Sequence, residues 1–101
     1  MLIIVYWPDK DPSAELDYGM SWGPTLGQLG DPPPTIISSN WLVVSGNVTI
    51  GANVVDSDGR GTVVRVVGGS DGTEAMLKNI VTLSDGQVIP AYAHVNIRSL
   101  I

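Results

Sequence analysis

Apolar and polar side chains alternate along most of this sequence with the two-residue period of β-strands that bury one face. Between these runs stand short clusters of Gly, Pro, Asn, Asp and Ser, the residue types that favour turns. The pattern predicts seven strands, at residues 2–6, 16–22, 35–44, 47–54, 62–67, 73–83 and 87–98. Val and Ile dominate the apolar set, and β-branched side chains favour strands over helices. We therefore expect an all-β fold, an immunoglobulin-like antiparallel β-sandwich of about seven strands.

Three of the predicted strands carry a well-defined apolar face. In the third run the predicted face is Ile37, Ser39, Trp41 and Val43. In the fourth run it is Val48, Ile50, Ala52 and Val54. In the seventh run it is Ile89, Ala91, Ala93, Val95 and Ile97. Pro90 lies inside that last run and predicts a bulge or an edge position, because proline cannot donate a ladder hydrogen bond.

The segments between strands are short, with one exception. Residues 23–34 form a long predicted loop that ends in Pro32, Pro33 and Pro34, a stiff stretch that cannot donate to a sheet. Asp11-Pro12 predicts a single helical turn, with Asp11 capping free backbone N–H groups and Pro12 at the first helical position. A chain of 101 residues suits one domain. We expect a single sandwich at residues 1–101, with an N-terminal strand or arm at about residues 1–14.

Composition excludes several classes of partner and chemistry. The net charge is −5 and the five Lys and Arg residues are scattered, whereas nucleic acids and anionic membranes require clustered cations. There is no Cys, which removes disulfides and thiolate chemistry. Residues 2–7 are apolar, but they are too few to span a membrane and lack the basic start of a signal peptide. We therefore predict neither a nucleic-acid partner nor a membrane partner.

No motif in the sequence indicates catalysis, a metal or a cofactor. His94 is the one histidine, and no Ser or Asp motif supplies the partners that a catalytic base needs. The acidic stretch 56–59 places neither the first nor the twelfth ligand of an EF-hand loop. The glycine-rich stretch 68–72 opens no helix and is followed by no Lys, so it predicts a turn with positive φ angles rather than a phosphate site. Asn47 heads a formal glycosylation sequon and also fits a hairpin turn.

The three tryptophans have two interpretations. Trp41 lies mid-strand among apolar neighbours and is predicted to be core. Trp7 and Trp22 flank loops, and each is either a core edge or an exposed anchor for a partner, because Trp is enriched at binding hot spots.

Several weak motifs in a fixed order carry a resemblance that spans about residues 7–97. A Lys10-Asp11-Pro12 turn precedes a strand with Leu16, Tyr18 and Trp22, and Gly30-Asp31 precedes the strand that bears Trp41. The further motifs are the pair Gly68-Gly69, then Gly72-Thr73, an inward Asn at Asn79, and the turn Ser84-Asp85-Gly86. In this order the chain resembles the fiber–tail adaptor proteins of phages and prophages, a family of small virion proteins.

The resemblance implies a structural, non-enzymatic protein of the virion tail that is made in the bacterial host cytoplasm. Such a protein joins tail fibers or other receptor-binding parts to the tail or portal region. It implies other virion proteins as partners, several copies in a symmetric ring, and no cofactor. The candidate partner contacts are Trp7, Pro8, Asp11, Pro12, Trp22, Pro32, Pro33, Pro34 and Asp71.

Two alternatives remain open at this point. One is a different virion role on a similar fold, such as head decoration or a tail-terminator or connector ring. The other is a carbohydrate-binding module in which exposed Trp and Tyr side chains stack on sugar rings. The charged fraction of 15% lies below the average of about 25% for soluble proteins, which suits a chain whose surface is partly buried in an assembly.

Overall fold

A computed structural model describes residues 2–99. All seven predicted strands are present, with a short helix between the second and the third. The elements are β1 (Ile4–Tyr6), β2 (Glu15–Ser21), α1 (Gly23–Gly27), β3 (Ile36–Ser45), β4 (Val48–Val55), β5 (Gly61–Gly68), β6 (Thr73–Leu83) and β7 (Val88–Ile97). No helix in the described part of the chain is long and apolar enough to cross a membrane.

The strands form two sheets. One has four strands in the order β1-β7-β6-β3, and the other has three in the order β2-β5-β4. All pairs are antiparallel except β1 with β7, which run parallel with Ile4 opposite Tyr92 and Tyr6 opposite His94. The prediction of a mostly β, two-layer protein is confirmed at this level.

The apolar core lies between the two sheets. Along β6 and β7 every second residue is buried, and the predicted inward face of β7 is confirmed from Ala91 to Ile97. The three-stranded sheet contributes Tyr18 and Met20 from β2 and two fully buried valines from β5, Val64 and Val66. Each fully buried side chain of this size contributes about 1.5–3 kcal/mol.

The predicted faces of the third and fourth strands are wrong in part. Ile37 is 65% exposed, because an irregularity in the pairing between Ile36 and Ser38 turns Ile36 inward instead. A second irregularity, between Ile50 and Asn53, leaves Ala52 and Val54 on the surface. An extra residue in a strand reverses the side-chain alternation beyond it.

Local structure departs from expectation at two other places. The predicted loop after β2 begins with α1, in which Pro24 lies in the first turn and Leu26 is buried. The predicted helical turn at Asp11-Pro12 is a plain turn, although the Asp11 carboxylate does accept the backbone N–H of Ser13 at 2.9 Å. Pro90 pairs with Ile80 of β6 without a break in register, so there is no bulge at this position. On its other side β1 pairs only with residues 92–94 of β7, so Pro90 has an edge position, as predicted.

Candidate functional site

The strand directions gather the loops into two clusters at opposite ends of the body, which measures 46 × 24 × 19 Å along its principal axes. We call the first cluster the clamp end; it comprises residues 7–14, 45–47, 68–72 and 97–99. We call the second the proline end; it comprises residues 22–35, 56–60 and 84–87. The candidate partner residues are therefore divided between two separate surfaces.

Lys10 organises the clamp end. Its side chain is fully buried, and Nζ donates hydrogen bonds to the carbonyl oxygens of Gly68 at 2.8 Å and Asp11 at 2.9 Å. Burial lowers the pKa of Lys10, while the carboxylates of Asp11 and Glu15 act in the opposite direction. The lysine thus fastens the segment before β2 to the end of β5. Nothing in the sequence indicated this role, since both acceptors are backbone atoms.

Further polar contacts hold the loops of the clamp end in place. The Asn47 side chain bonds the Ser70 hydroxyl at 2.5 Å and accepts the Ser70 N–H at 3.2 Å. Asp71 accepts the Ser99 N–H at 2.9 Å. The predicted positive φ angles in the glycine-rich turn are confirmed, at +81° for Gly68 and +102° for Gly69. These loops therefore present a defined surface.

Hydrogen bonds from backbone N–H groups join the loops of the proline end. Thr35 and Ser84 bond each other twice, and the Ile36 N–H donates to Gly59 at 2.8 Å. Pro32 and Pro33 are exposed, whereas Pro34 is buried. An open groove of about 500 Å³ beside this end is bordered by acidic and basic side chains, Asp56, Asp58 and Arg60 among them.

A buried amide joins the two sheets between these ends. Asn79 is fully buried on β6, as its place in the resemblance implied. Its Oδ1 accepts from Trp22 Nε1 at 3.1 Å and from Thr62 Oγ1 at 2.7 Å. Its Nδ2 donates to Ser39 Oγ at 2.8 Å and to the Asn40 carbonyl at 3.0 Å. All four hydrogen-bonding positions of the amide are used, which rigidifies the body that separates the ends.

The tryptophans belong to the body of the sandwich. Trp22 is 1% exposed and Trp41 is 5% exposed, so the core interpretation of Trp22 is the one that the structure adopts. Trp7 is half-buried at the core edge, where it stacks on Tyr18 with ring centroids 4.6 Å apart and donates Nε1 to the Gly19 carbonyl. Burial raises the pKa of Tyr18, and Asp9 acts in the same direction. None of these indoles offers the flat, exposed platform that sugar stacking requires.

Of the nine candidate contacts, two are buried. The five at the clamp end are Trp7, Pro8, Asp11, Pro12 and Asp71, of which Pro8 and Asp71 are exposed and the others half-buried. The four at the proline end are Trp22, Pro32, Pro33 and Pro34, of which Trp22 and Pro34 are buried. The sequence had no signal for Pro34, since burial there depends on how the loop folds back.

His94 is a surface residue of the four-stranded sheet. Its Nε2 bonds the Glu74 carboxylate, and its ring lies 5.5 Å from that of Tyr6. The hydrogen bond of this ring goes to a carboxylate and not to the hydroxyl that a catalytic triad requires. Among residues 2–99, no group of three or more His, Asp and Glu side chains could hold a metal ion.

The fold is also seen in a much larger protein. It is similar to part of a 2,6-sialyltransferase of Vibrionaceae Photobacterium sp. JT-ISH-224, solved with CMP and lactose, with a TM-score of 0.55 and 8% identity. The match covers 97% of this chain but only 18% of the enzyme, so the likeness concerns the fold alone. No curated protein matches the sequence.

The described residues form a two-sheet body with its loops gathered at two opposite ends. The family comparison identifies the class of protein. The model of the podophage GP4 fiber-tail adaptor protein gp77 matches residues 10–94, and the chain belongs to this family. It is a structural component of the phage tail within the virion, it is not an enzyme, and its partners are virion proteins of the tail and fibers.

Proposed function

We propose that this adaptor bridges its neighbours end to end, with the clamp end bound to one virion protein and the proline end to another. The observation that carries the proposal is the division of the candidate loops between two opposite ends of a body 46 Å long. Pro8, Asp11, Pro12 and Asp71 are the proposed contacts of the clamp end, with Trp7 supporting them from the core edge. Pro32 and Pro33 are the proposed contacts of the proline end, where stiff exposed prolines lose little entropy on binding.

Three lysine substitutions test this division. Pro8→Lys alters the clamp end, Pro33→Lys alters the proline end, and Val88→Lys on the sheet surface is the control with the same change of charge. Each variant is produced in phage that lack the native copy, and tails are examined by electron microscopy and mass spectrometry. We expect the adaptor to be lost from the tail in one end variant, and to be retained without fibers in the other. Normal tails in both end variants would refute the end-to-end arrangement.

We further propose that several copies form a symmetric ring. Homo-oligomers are mostly symmetric, and a heterologous contact that closes gives a ring. Native mass spectrometry of isolated tails gives the copy number directly. A single copy per tail would contradict the ring.

Finally, we propose that the sandwich is immunoglobulin-like and that residues 2–99 act as one domain with an N-terminal arm up to residue 14. The order β2-β5-β4 corresponds to strands B-E-D, and β7-β6-β3 corresponds to G-F-C. In the arm, β1 joins the strand that corresponds to G. An experimental structure in which β3 and β4 share a sheet would contradict this assignment.

A further inference from the structure

The charged residues of this chain avoid two segments. All five Lys and Arg residues and all ten Asp and Glu residues lie outside residues 1–8 and 32–55. Within the described chain these segments contain β1 and β3, the two edge strands of the four-stranded sheet, and also β4, one edge strand of the three-stranded sheet. By contrast, the edge strand β2 of the other sheet carries Glu15 and Asp17. Charged side chains on an edge are a common protection against pairing with another chain, and both edges of the larger sheet lack them.

Both edges also expose apolar side chains on the same outer face of the sheet. On β1, Ile4 is 40% and Tyr6 is 74% exposed, and Leu2, two residues before the strand, is 74% exposed. On β3, Leu42 is 50% exposed on this face, and Val44, at the irregularity between Val43 and Ser45, is 53% exposed. Each edge thus exposes apolar side chains, which on β1 form an alternating row.

The backbone of β1 is ready to accept another strand. The Ile3 carbonyl and the Trp7 N–H form hydrogen bonds with β7. Because backbone groups of successive residues point to opposite sides of a strand, those of Val5 face β7, and those of Ile4 and Tyr6 face the open edge. On β3, pairing with β6 is regular from Ser38 to Val43, the usual length of a strand. No strand covers the outer side of either edge in residues 2–99.

The edge strands β1 and β3 match in direction and in their register across the sheet. β1 is parallel to β7, and β7 and β3 are both antiparallel to β6, so β1 and β3 point the same way. The register places Ile4 opposite Tyr92, Tyr92 opposite Lys78, and Lys78 opposite Leu42. Ile4 and Leu42 are therefore the two ends of a single row of paired residues that crosses the sheet. A second copy beside the first would set its Ile4 next to Leu42.

We propose that β3 of one copy pairs in parallel with β1 of the next copy, which makes the four-stranded sheet continuous from subunit to subunit. The occupant is a second copy of this chain because β1 and β3 run in the same direction with Ile4 and Leu42 in one row, and neither edge adds a charge to the repulsion between copies of net charge −5. The contact is heterologous, so it repeats from copy to copy and gives a ring when the rotation between neighbouring copies closes. All copies then point the same way, which lets every clamp end face one neighbour and every proline end face the other. The inference rests on the proposed ring and names its interface.

The test uses the full chain in solution, with mass measured by light scattering and by native mass spectrometry up to about 1 mM. Leu42→Lys blocks one edge, Ile4→Glu blocks the other, and Val88→Lys is the control at an exposed position of the same sheet. We expect the wild type and the control to associate alike, and each edge variant to associate at least tenfold more weakly. An equimolar mixture of the two edge variants restores association, because each supplies the intact edge that the other lacks and the new charges are opposite. Unfolding curves of each variant verify that it is folded.

A wild type that stays monomeric at the highest concentration would overturn the proposal, and so would a loss of association in Val88→Lys equal to that of the edge variants. Self-association of Ile4→Glu unchanged from the wild type would also overturn it, because it would indicate symmetric pairing of β3 with β3. Failure of the mixture to associate would also overturn it. The end-to-end arrangement is tested separately, since Pro8 and Pro33 lie outside both edge strands. Tails that lose only one neighbour in those variants would support bridging even where edge pairing fails.

Discussion

Replacing Asn79 by leucine removes the amide that joins the two sheets. Leucine keeps the number and branching of the side-chain heavy atoms, so no cavity forms and the effect comes mainly from polar groups that lose their partner. Trp22 Nε1 and Thr62 Oγ1 are buried, and both donate to the lost oxygen. A buried group left without a partner costs about 1–3 kcal/mol, so we expect the free energy of unfolding to fall by about 3–4 kcal/mol. That is a large share of the roughly 5–15 kcal/mol that stabilises a typical domain.

Urea unfolding followed by tryptophan fluorescence measures this loss by linear extrapolation. Thr62→Val alone should cost about 1 kcal/mol, and combined with Asn79→Leu it should cost less than the sum, because valine leaves no hydroxyl unpaired. The control is Asn53→Leu on the exposed surface of β4, which should change stability by less than about 0.5 kcal/mol. A loss below about 1 kcal/mol for Asn79→Leu, or strict additivity in the double variant, would refute the assigned role of the network.

Three further predictions concern the turn after β3, the buried lysine and a surface ion pair. Gly46→Ala should lower the free energy of unfolding by about 2–3 kcal/mol in urea, because φ is +96° and a Cβ would lie 2.7 Å from a β6 side chain. Gly72→Ala is the control, since φ is +82° there but the space is open, and it should cost about 1 kcal/mol. Equal losses in the two variants would contradict the role of the close contact. Because burial lowers the pKa of Lys10, the unfolded chain binds more protons just below the ordinary lysine pKa of about 10.4, so the contribution of this residue to stability rises with pH there. The free energy of unfolding of the wild type, relative to that of Lys10→Met, should therefore rise as the pH increases towards about 10.4, and a fall would show that the pKa is not lowered. The hydrogen bond from Arg65, at 2.6 Å, lowers the pKa of Asp17, so in Arg65→Gln an NMR titration should show that pKa higher than in the wild type; an unchanged value would mean that the pair does not form in solution.

The strict alternation of apolar and polar residues along β7 is what made its buried face predictable. A strand with a two-residue period and one buried face has a single arrangement that hides its apolar side chains, and the inward residues from Ala91 to Ile97 follow it. Ile37 and Val54 are exposed because bulges interrupt the two-residue period. A bulge adds one residue to a strand, and no particular residue type marks its position in the sequence.

Other features depend on contacts that a local pattern does not contain. The helix α1 has five residues and two glycines, too few for a helical period to be visible, and Pro24 after Trp22 was its one local cue. Lys10 stands beside Asp11 like a solvated surface residue, yet its carbonyl partner Gly68 lies 58 positions away. The two clusters of candidate contacts follow from strand direction, which a sequence pattern leaves open.

The parallel pairing of β1 with β7 has a mechanical consequence. A force that pulls Ile4 and Ile97 apart along the strand axis loads the evenly spaced bonds between the two strands together, instead of opening them one at a time. The bonds that join Lys10 to Asn96 and Arg98 extend the same pairing beyond β1, so they share this load.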